Sequence, residues 1–188
     1  MKKLTKQNPP IVQKGETVLR ETARTVSLTE ITLPKIQKII SDMKIALDSQ
    51  DDGVAIAAPQ IGVPLRIFVV SKKVSVLMKG KELGKEDLSK LSDSVYINPE
   101  IKKLSKNKER LDEGCLSVRY LYGKVERSEK ASIEAYDESG KKFKMGASGL
   151  LAQIFQHEVD HLNGILFTDK ADDIVEVLPD KKSPDDMI

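Results

Sequence analysis

The chain has one cysteine, Cys115, so no intramolecular disulfide can form. That excludes a disulfide scaffold, and a reducing cytoplasm is the expected setting. Tryptophan is absent and aromatic residues make up 4%, so the core is expected to be built from Ile, Leu, Val and Ala. Neither sign of charge dominates, since 31 Lys and Arg face 29 Asp and Glu for a formal +2. Nucleic-acid binders are usually far more basic, so no specific nucleic-acid partner is expected. No stretch approaches the roughly 20 apolar residues of a membrane span. The basic start MKKLTKQNPPIVQKG lacks the apolar segment of a secretory signal. Lysine clusters such as KKLSKNKER (102–110) read as a solvated loop or strand edge.

With 39% hydrophobic residues over 188 positions, there is enough apolar material for one core. Residues 1–175 are read as a single domain and 176–188 as a flexible C-terminal tail. Pro9-Pro10 and Gly15 suggest a partly extended arm over residues 1–15. In 33–50, Ile36, Ile39, Ile40, Met43 and Leu47 recur at helical steps behind Pro34. LRIFVV (65–70) reads as a buried strand, 71–93 as an exposed excursion, and SVYINPEI (94–101) as a strand with Pro99 at an edge or bulge. Residues 132–145 read as a hairpin turning near Gly140. A second helix spans 148–164, with Ser148 as N-cap and Gly164 as stop. Strands followed by a helix, without regular alternation, predict an α+β fold.

The second helix contains His157-Glu158-Val159-Asp160-His161. Two histidines at i and i+4, with a glutamate after the first, is a metal-site spacing. Leu150, Ile154, His157 and His161 share one helical stripe. A catalytic metal usually takes three protein ligands. No third histidine exists, and Phe167 stands where the longer HExxHxxGxxH pattern would need one. Asp169, Asp172, Asp173 and Glu176 are candidates by type, although surface charge explains them equally well. Cys115 is the better candidate, because a thiolate is a strong ligand for zinc or ferrous iron. It lies in DEGCLSV (112–118), read as a turn running into a strand, and Gly114 beside it permits close backbone approach.

Three segments, GVAIAAPQIG (53–62), EGCLS (113–117) and QHEVDHLNG (156–164), resemble in order the three signature segments of the peptide deformylases. The resemblance extends from about residue 10 to 172. It implies antiparallel sheets packed around a central helix carrying HExxH. It also implies removal of the formyl group from N-formylmethionyl nascent chains, releasing formate. One divalent metal is implied, ferrous iron in typical members, with Zn²⁺, Ni²⁺ or Co²⁺ able to substitute. Its ligands would be Cys115, His157 and His161. Glu158 would be the general acid/base, and the Gln60 side chain and Leu116 N–H the oxyanion donors. Val54, Ala55 and Gly114 would line the substrate chain. A monomer is expected, and the lysine-rich segments are candidates for touching a ribosome. There are departures: Ala55 replaces a family glycine and Ile56 a leucine. Arg119-Tyr120 stand where a Pro-containing stretch is common. Tyr122-Gly123 stand where some members carry a substrate-binding arginine. An endopeptidase using the same HExxH and a non-catalytic binding module are the rival readings.

Overall fold

The computed structural model describes residues 8–79 and 91–178. Among the described residues, three helices, α1 (Pro34–Asp48), α2 (Lys73–Lys79) and α3 (Gly149–Leu162), join eight strands. Strands β1 (Ala55–Ala57), β2 (Ile67–Val70), β3 (Ser94–Leu104), β6 (Lys130–Tyr136) and β7 (Lys142–Ser148) form one antiparallel sheet in the order β1-β2-β3-β6-β7. A second antiparallel sheet has the order β4-β5-β8, from β4 (Lys108–Gly114), β5 (Leu121–Ser128) and β8 (Asp172–Glu176). This is the expected α+β architecture, with the HExxH helix between the sheets.

The unbroken apolar run of β2 follows from cover on both faces. Phe68 and Val70 pack with Tyr96, Phe155 and Val159 beneath α3. Ile67 and Val69 pack with Ile36, Ile40, Met43 and Leu47 of α1. A third cluster, Leu19, Val118, Val125, Leu166 and Phe167, fills the space behind the smaller sheet. Aliphatics dominate the core as expected, but the few aromatics are concentrated under α3. Phe68 stacks on Tyr96 at 4.4 Å, and Phe155 meets Tyr96 edge-on at 5.3 Å. Such pairs add about 0.5–1.5 kcal/mol each beyond area burial.

One expectation needs correction, and two hold with added detail. Residues 71–93 do not form an exposed excursion throughout, since Lys73–Lys79 make α2 and Val74 is buried. Ser71 Oγ accepts the Lys73 N–H and Asp93 accepts the Lys72 N–H, so polar residues that suggested a loop instead cap a short helix. Residues 80–90 lie outside the described residues, as do 179–188 of the expected tail. Pro99 marks a bulge but not an edge, because β3 is paired on both sides. The register breaks between Ile97 and Glu100, where Asn98 adopts φ 51° and its amide exchanges two hydrogen bonds with the Val26 backbone. Ser148 occupies the N-cap of α3 without making a side-chain cap bond. The 132–145 hairpin, α1 and α3 stand where the sequence places them. β8 reaches Glu176, and Val177 N–H still donates to the Tyr120 carbonyl.

Gly164 ends α3 at φ +74°, where an added Cβ would lie 2.5 Å from the Arg20 carbonyl oxygen. Gly164→Ala is expected to cost roughly 1–3 kcal/mol. Gly146→Ala, whose Cβ would meet nothing within 4 Å, should stay within about 0.5 kcal/mol. Urea unfolding of the two variants checks this, and equal stabilities would contradict it.

Candidate metal centre

His157 and His161 point from α3 toward Cys115, which follows directly on β4. The strand therefore runs into the turn, the reverse of the order read from DEGCLSV. Cys115 Sγ lies 3.1 Å from His161 Nε2. One ligand atom from each of Cys115, His157 and His161 falls within 4.8 Å of the others. Burial alone would raise the Cys115 thiol, but the adjacent His161 and His157 imidazoles bring it down to about 5. A thiolate with two imidazoles suits zinc or ferrous iron, and a set of three protein ligands leaves a position open for water. Glu158 lies beside them, 4% exposed. Burial pushes its carboxyl up to about 6, against the pull of His157 and His161. Its Oε2 is buried without a protein hydrogen-bond partner. Such an acceptor is costly unless satisfied, and here it lines the cleft.

Sequence reasoning missed what orients this set. His157 Nδ1 lies 2.9 Å from Glu113 Oε2, which leaves Nε2 for the metal. A metal-binding histidine held through its other nitrogen is the usual arrangement. The Glu113 carboxylate also accepts a fork of bonds from Arg127 Nε and Nη2, at 2.7 and 2.9 Å. Arg127 Nη1 reaches Asp160 at 2.6 Å, and Lys170 Nζ joins Asp160 at 2.7 Å. Glu113 and Arg127 side chains are each 3% exposed. Burial opposes the Glu113 charge, yet the bonds from Arg127 and His157 hold its carboxyl down at about 2. A signal existed in RLDEG, because Leu111 and Glu113 share a strand face that points inward.

Gln60 is 2% exposed. Its Oε1 accepts the Ala57 N–H at 2.8 Å, so Nε2 must be the end that faces Cys115 Sγ at 3.5 Å and Ser117 Oγ at 3.1 Å. The Leu116 N–H has no acceptor among the described residues. Val54, Ala55, Gly114, Gln60, Leu116, Cys115, His157 and Glu158 all line one cleft of roughly 290 Å³. The cleft thus gathers every residue that the resemblance singles out except His161, which lies behind it, 1% exposed. Ala55 keeps a negative φ and packs into the core under α3, so its methyl brings no backbone strain. An added Cβ at Gly114 would lie 2.7 Å from the Tyr122 ring, so that ring rests against the Gly114 backbone as one wall.

The downstream carboxylates lie elsewhere. Asp169 pairs with Arg20, and Asp172 and Asp173 approach Arg110 on the exposed face. Arg119 has a role that the sequence did not suggest. It joins the cleft's two walls through bonds of 2.5 and 3.0 Å to Asp52 and 3.0 Å to Gln50.

Glu113→Gln preserves shape but leaves the buried Arg127 charge with Asp160 as its one remaining carboxylate among the described residues. Removing one member of a buried pair typically costs about 3–5 kcal/mol. The sign of the pH effect follows from the depressed Glu113 value. Its stabilising contribution is complete above the ordinary value of 4.5 and is lost as pH falls toward about 2. The wild-type unfolding free energy should therefore fall through that window more steeply than that of Glu113→Gln. Urea titrations at several acid pH values check this, and parallel curves would contradict it.

No helix among the described residues is long and apolar enough to cross a membrane. A sequence profile described as Polypeptide deformylase matches residues 9–176. Peptide deformylase 1A, chloroplastic/mitochondrial, of Arabidopsis thaliana is 43% identical over 164 residues, 86% of this chain and 61% of its own length. The tomato chloroplastic protein is likewise covered over only 59% of its length, so this chain spans about three fifths of those plant relatives. Peptide deformylase of Carboxydothermus hydrogenoformans is 41% identical, over 88% of this chain and 94% of its own. The Synechococcus elongatus peptide deformylase in complex with actinonin superposes with a TM-score of 0.74 at 35% identity, covering 92% of this chain and 83% of that one. The Met-Ala-Ser-bound class I type b enzyme of Acinetobacter baumannii gives 0.72 at 31% identity, covering 86% and 96%. With the Cys/His/His set, the buried glutamate and the two-sheet fold all in register with this match, the chain belongs to the polypeptide deformylase family.

Proposed function

We propose that the protein removes the N-formyl group from N-formylmethionyl peptides, releasing formate and a free α-amine, in the cytoplasm and as a monomer. The observation that carries this reading is Glu158, a buried carboxylate whose Oε2 has no protein partner, lining the same cleft as Cys115 and His157 of the ligand set. Cys115, His157 and His161 would hold one divalent ion, ferrous iron in the cell. What the ion supplies when bound is a water acidified from about 15.7 toward roughly 7. Glu158 takes the proton of the attacking water at Oε2 and later delivers it to the leaving amine nitrogen. Gln60 Nε2 and the Leu116 N–H meet the negative charge that grows on the formyl oxygen. Each such donor is worth about 3 kcal/mol of barrier.

β1 ends its sheet, so its outer edge can receive the substrate chain as an added strand. Val54 and Ala55 would pair along that edge, with Gly114 opposite. Arg119 and Asp52, both in the lining of this cleft, pair across it. A third ligand from the upstream Cys115, in place of a downstream histidine or carboxylate, argues against an endopeptidase. A lysine-rich contact with the ribosome belongs to the same proposal. The exposed 102–104 end of β3 is one such surface.

Glu158→Gln should keep one metal per chain and lose turnover by a factor of about 10² or more. Cys115→Ala should lose the metal itself. Metal analysis beside formate release from formyl-Met-Ala-Ser separates these outcomes, and near-normal turnover in Glu158→Gln would contradict the role. Ala55→Gly should change kcat/KM by less than about tenfold, or roughly 1.4 kcal/mol, because no strain is relieved. A gain of several orders of magnitude would mark Ala55 as the sign of a retired site and favour the binding module.

A further inference from the structure

Gln60 and Leu116 stand on separate elements, and the segment that ties them together is the N-terminal arm. Val12 N–H donates to the Gln60 carbonyl at 2.9 Å, and Lys14 N–H donates to the Ser117 carbonyl at 2.7 Å. Between them, Gln13 Nε2 donates to the Leu116 carbonyl at 3.0 Å and to the Ile11 carbonyl at 3.2 Å. Three consecutive residues thus hold three carbonyls of the two loops that carry the oxyanion donors. The Leu116 carbonyl shares a peptide plane with the Ser117 N–H, which itself donates to Cys115 Sγ at 3.4 Å. Fixing that plane limits rotation about Leu116, whose side chain is held on the other side by the α1 cluster. The Leu116 N–H lies in the preceding peptide plane, whose Cys115 carbonyl accepts the Val118 N–H at 3.0 Å, so the planes on both sides of Leu116 are held. Gln13 is exposed, so its carboxamide contributes little packing, and its two bonds are the main thing its truncation removes.

We infer that Gln13 is a positioning residue, whose carboxamide holds the Leu116 peptide so that its N–H meets the formyl oxygen together with Gln60. The inference rests on the reading that Leu116 and Gln60 bind that oxygen. Misplacing a donor should cost part of what removing one costs, and removal typically costs about 10²–10³ in kcat.

The test uses the full chain loaded with cobalt. Gln13→Ala, Gln13→Glu (equal length, no N–H) and Gln13→Lys (an N–H donor of similar reach) are compared with Gln60→Ala. The readouts are kcat and KM on formyl-Met-Ala-Ser, affinity for Met-Ala-Ser, which lacks the formyl oxygen, metal content, and the urea midpoint. Gln13→Ala and Gln13→Glu should lose about tenfold in kcat, against about 10² or more for Gln60→Ala. Their KM, Met-Ala-Ser affinity, metal content and urea midpoint should match the wild type, and Gln13→Lys should recover most of the rate. Wild-type kcat in Gln13→Ala, with Gln60→Ala impaired, overturns the positioning role and leaves the oxyanion reading standing. Wild-type kcat in Gln60→Ala overturns that reading and the inference with it. A fall in urea midpoint or metal content that accounts for the lost rate makes Gln13 merely structural and also overturns the inference.

Discussion

The bond between His157 Nδ1 and the Glu113 carboxylate is the interaction on which the rest of the site depends. It connects α3 to the smaller sheet and decides which imidazole nitrogen faces Cys115. It also places a carboxylate where almost no water reaches, and Arg127 is required to make that tolerable. Arg127 in turn is balanced by Asp160 from the same HExxH helix. The loop of charges closes on itself, from helix to strand to strand and back. Replacing such buried ion networks with apolar side chains is often neutral or stabilising. Its presence here is better explained by the orientation it imposes on a ligand than by the stability it contributes.

Around that network the fold acts as a vice. The larger sheet presses Phe68 and Tyr96 against Phe155 on one side of α3. The smaller sheet brings Gly114 and Cys115 against the other. Gln156 adds a polar clamp, because its carboxamide exchanges bonds with both backbone groups of Ser128. The cleft opens where the two sheets part, between the free edge of β1 and the end of β4. That opening is walled by Val54 and Ala55 on one side and by Gly114, backed by Tyr122, on the other.

Much of this was legible in the sequence, for identifiable reasons. Helix α1 and the HExxH helix carry long periodic stripes. IFVV could only be a strand covered on both faces. The ligands stood out because the chain has just one cysteine and two histidines to offer. What stayed hidden depends on pairing that local pattern does not encode. Glu113 and Arg127 meet because β4 and β5 form a hairpin, and nothing near either residue announces that partner. Arg119 meets Asp52 across 67 positions. Helix α2 is too short for its period to outweigh its lysines and serines. The arm's hold on the segments carrying Gln60 and Leu116 is made mostly by backbone groups, which leave no trace in residue type. Pro99 did signal an irregularity, but only the pairing of β3 on both sides distinguishes a central bulge from an edge.

The central claim is that this cleft performs metal-dependent deformylation. Formate release from formyl-Met-Ala-Ser, followed as the anaerobically purified apoprotein is titrated with ferrous iron, addresses it most directly. The account predicts that activity rises to a plateau at one equivalent of iron and is lost on exposure to air, while a nickel-loaded sample keeps it. A fully metallated protein that releases no formate, or one that instead cuts internal bonds of casein, would contradict it.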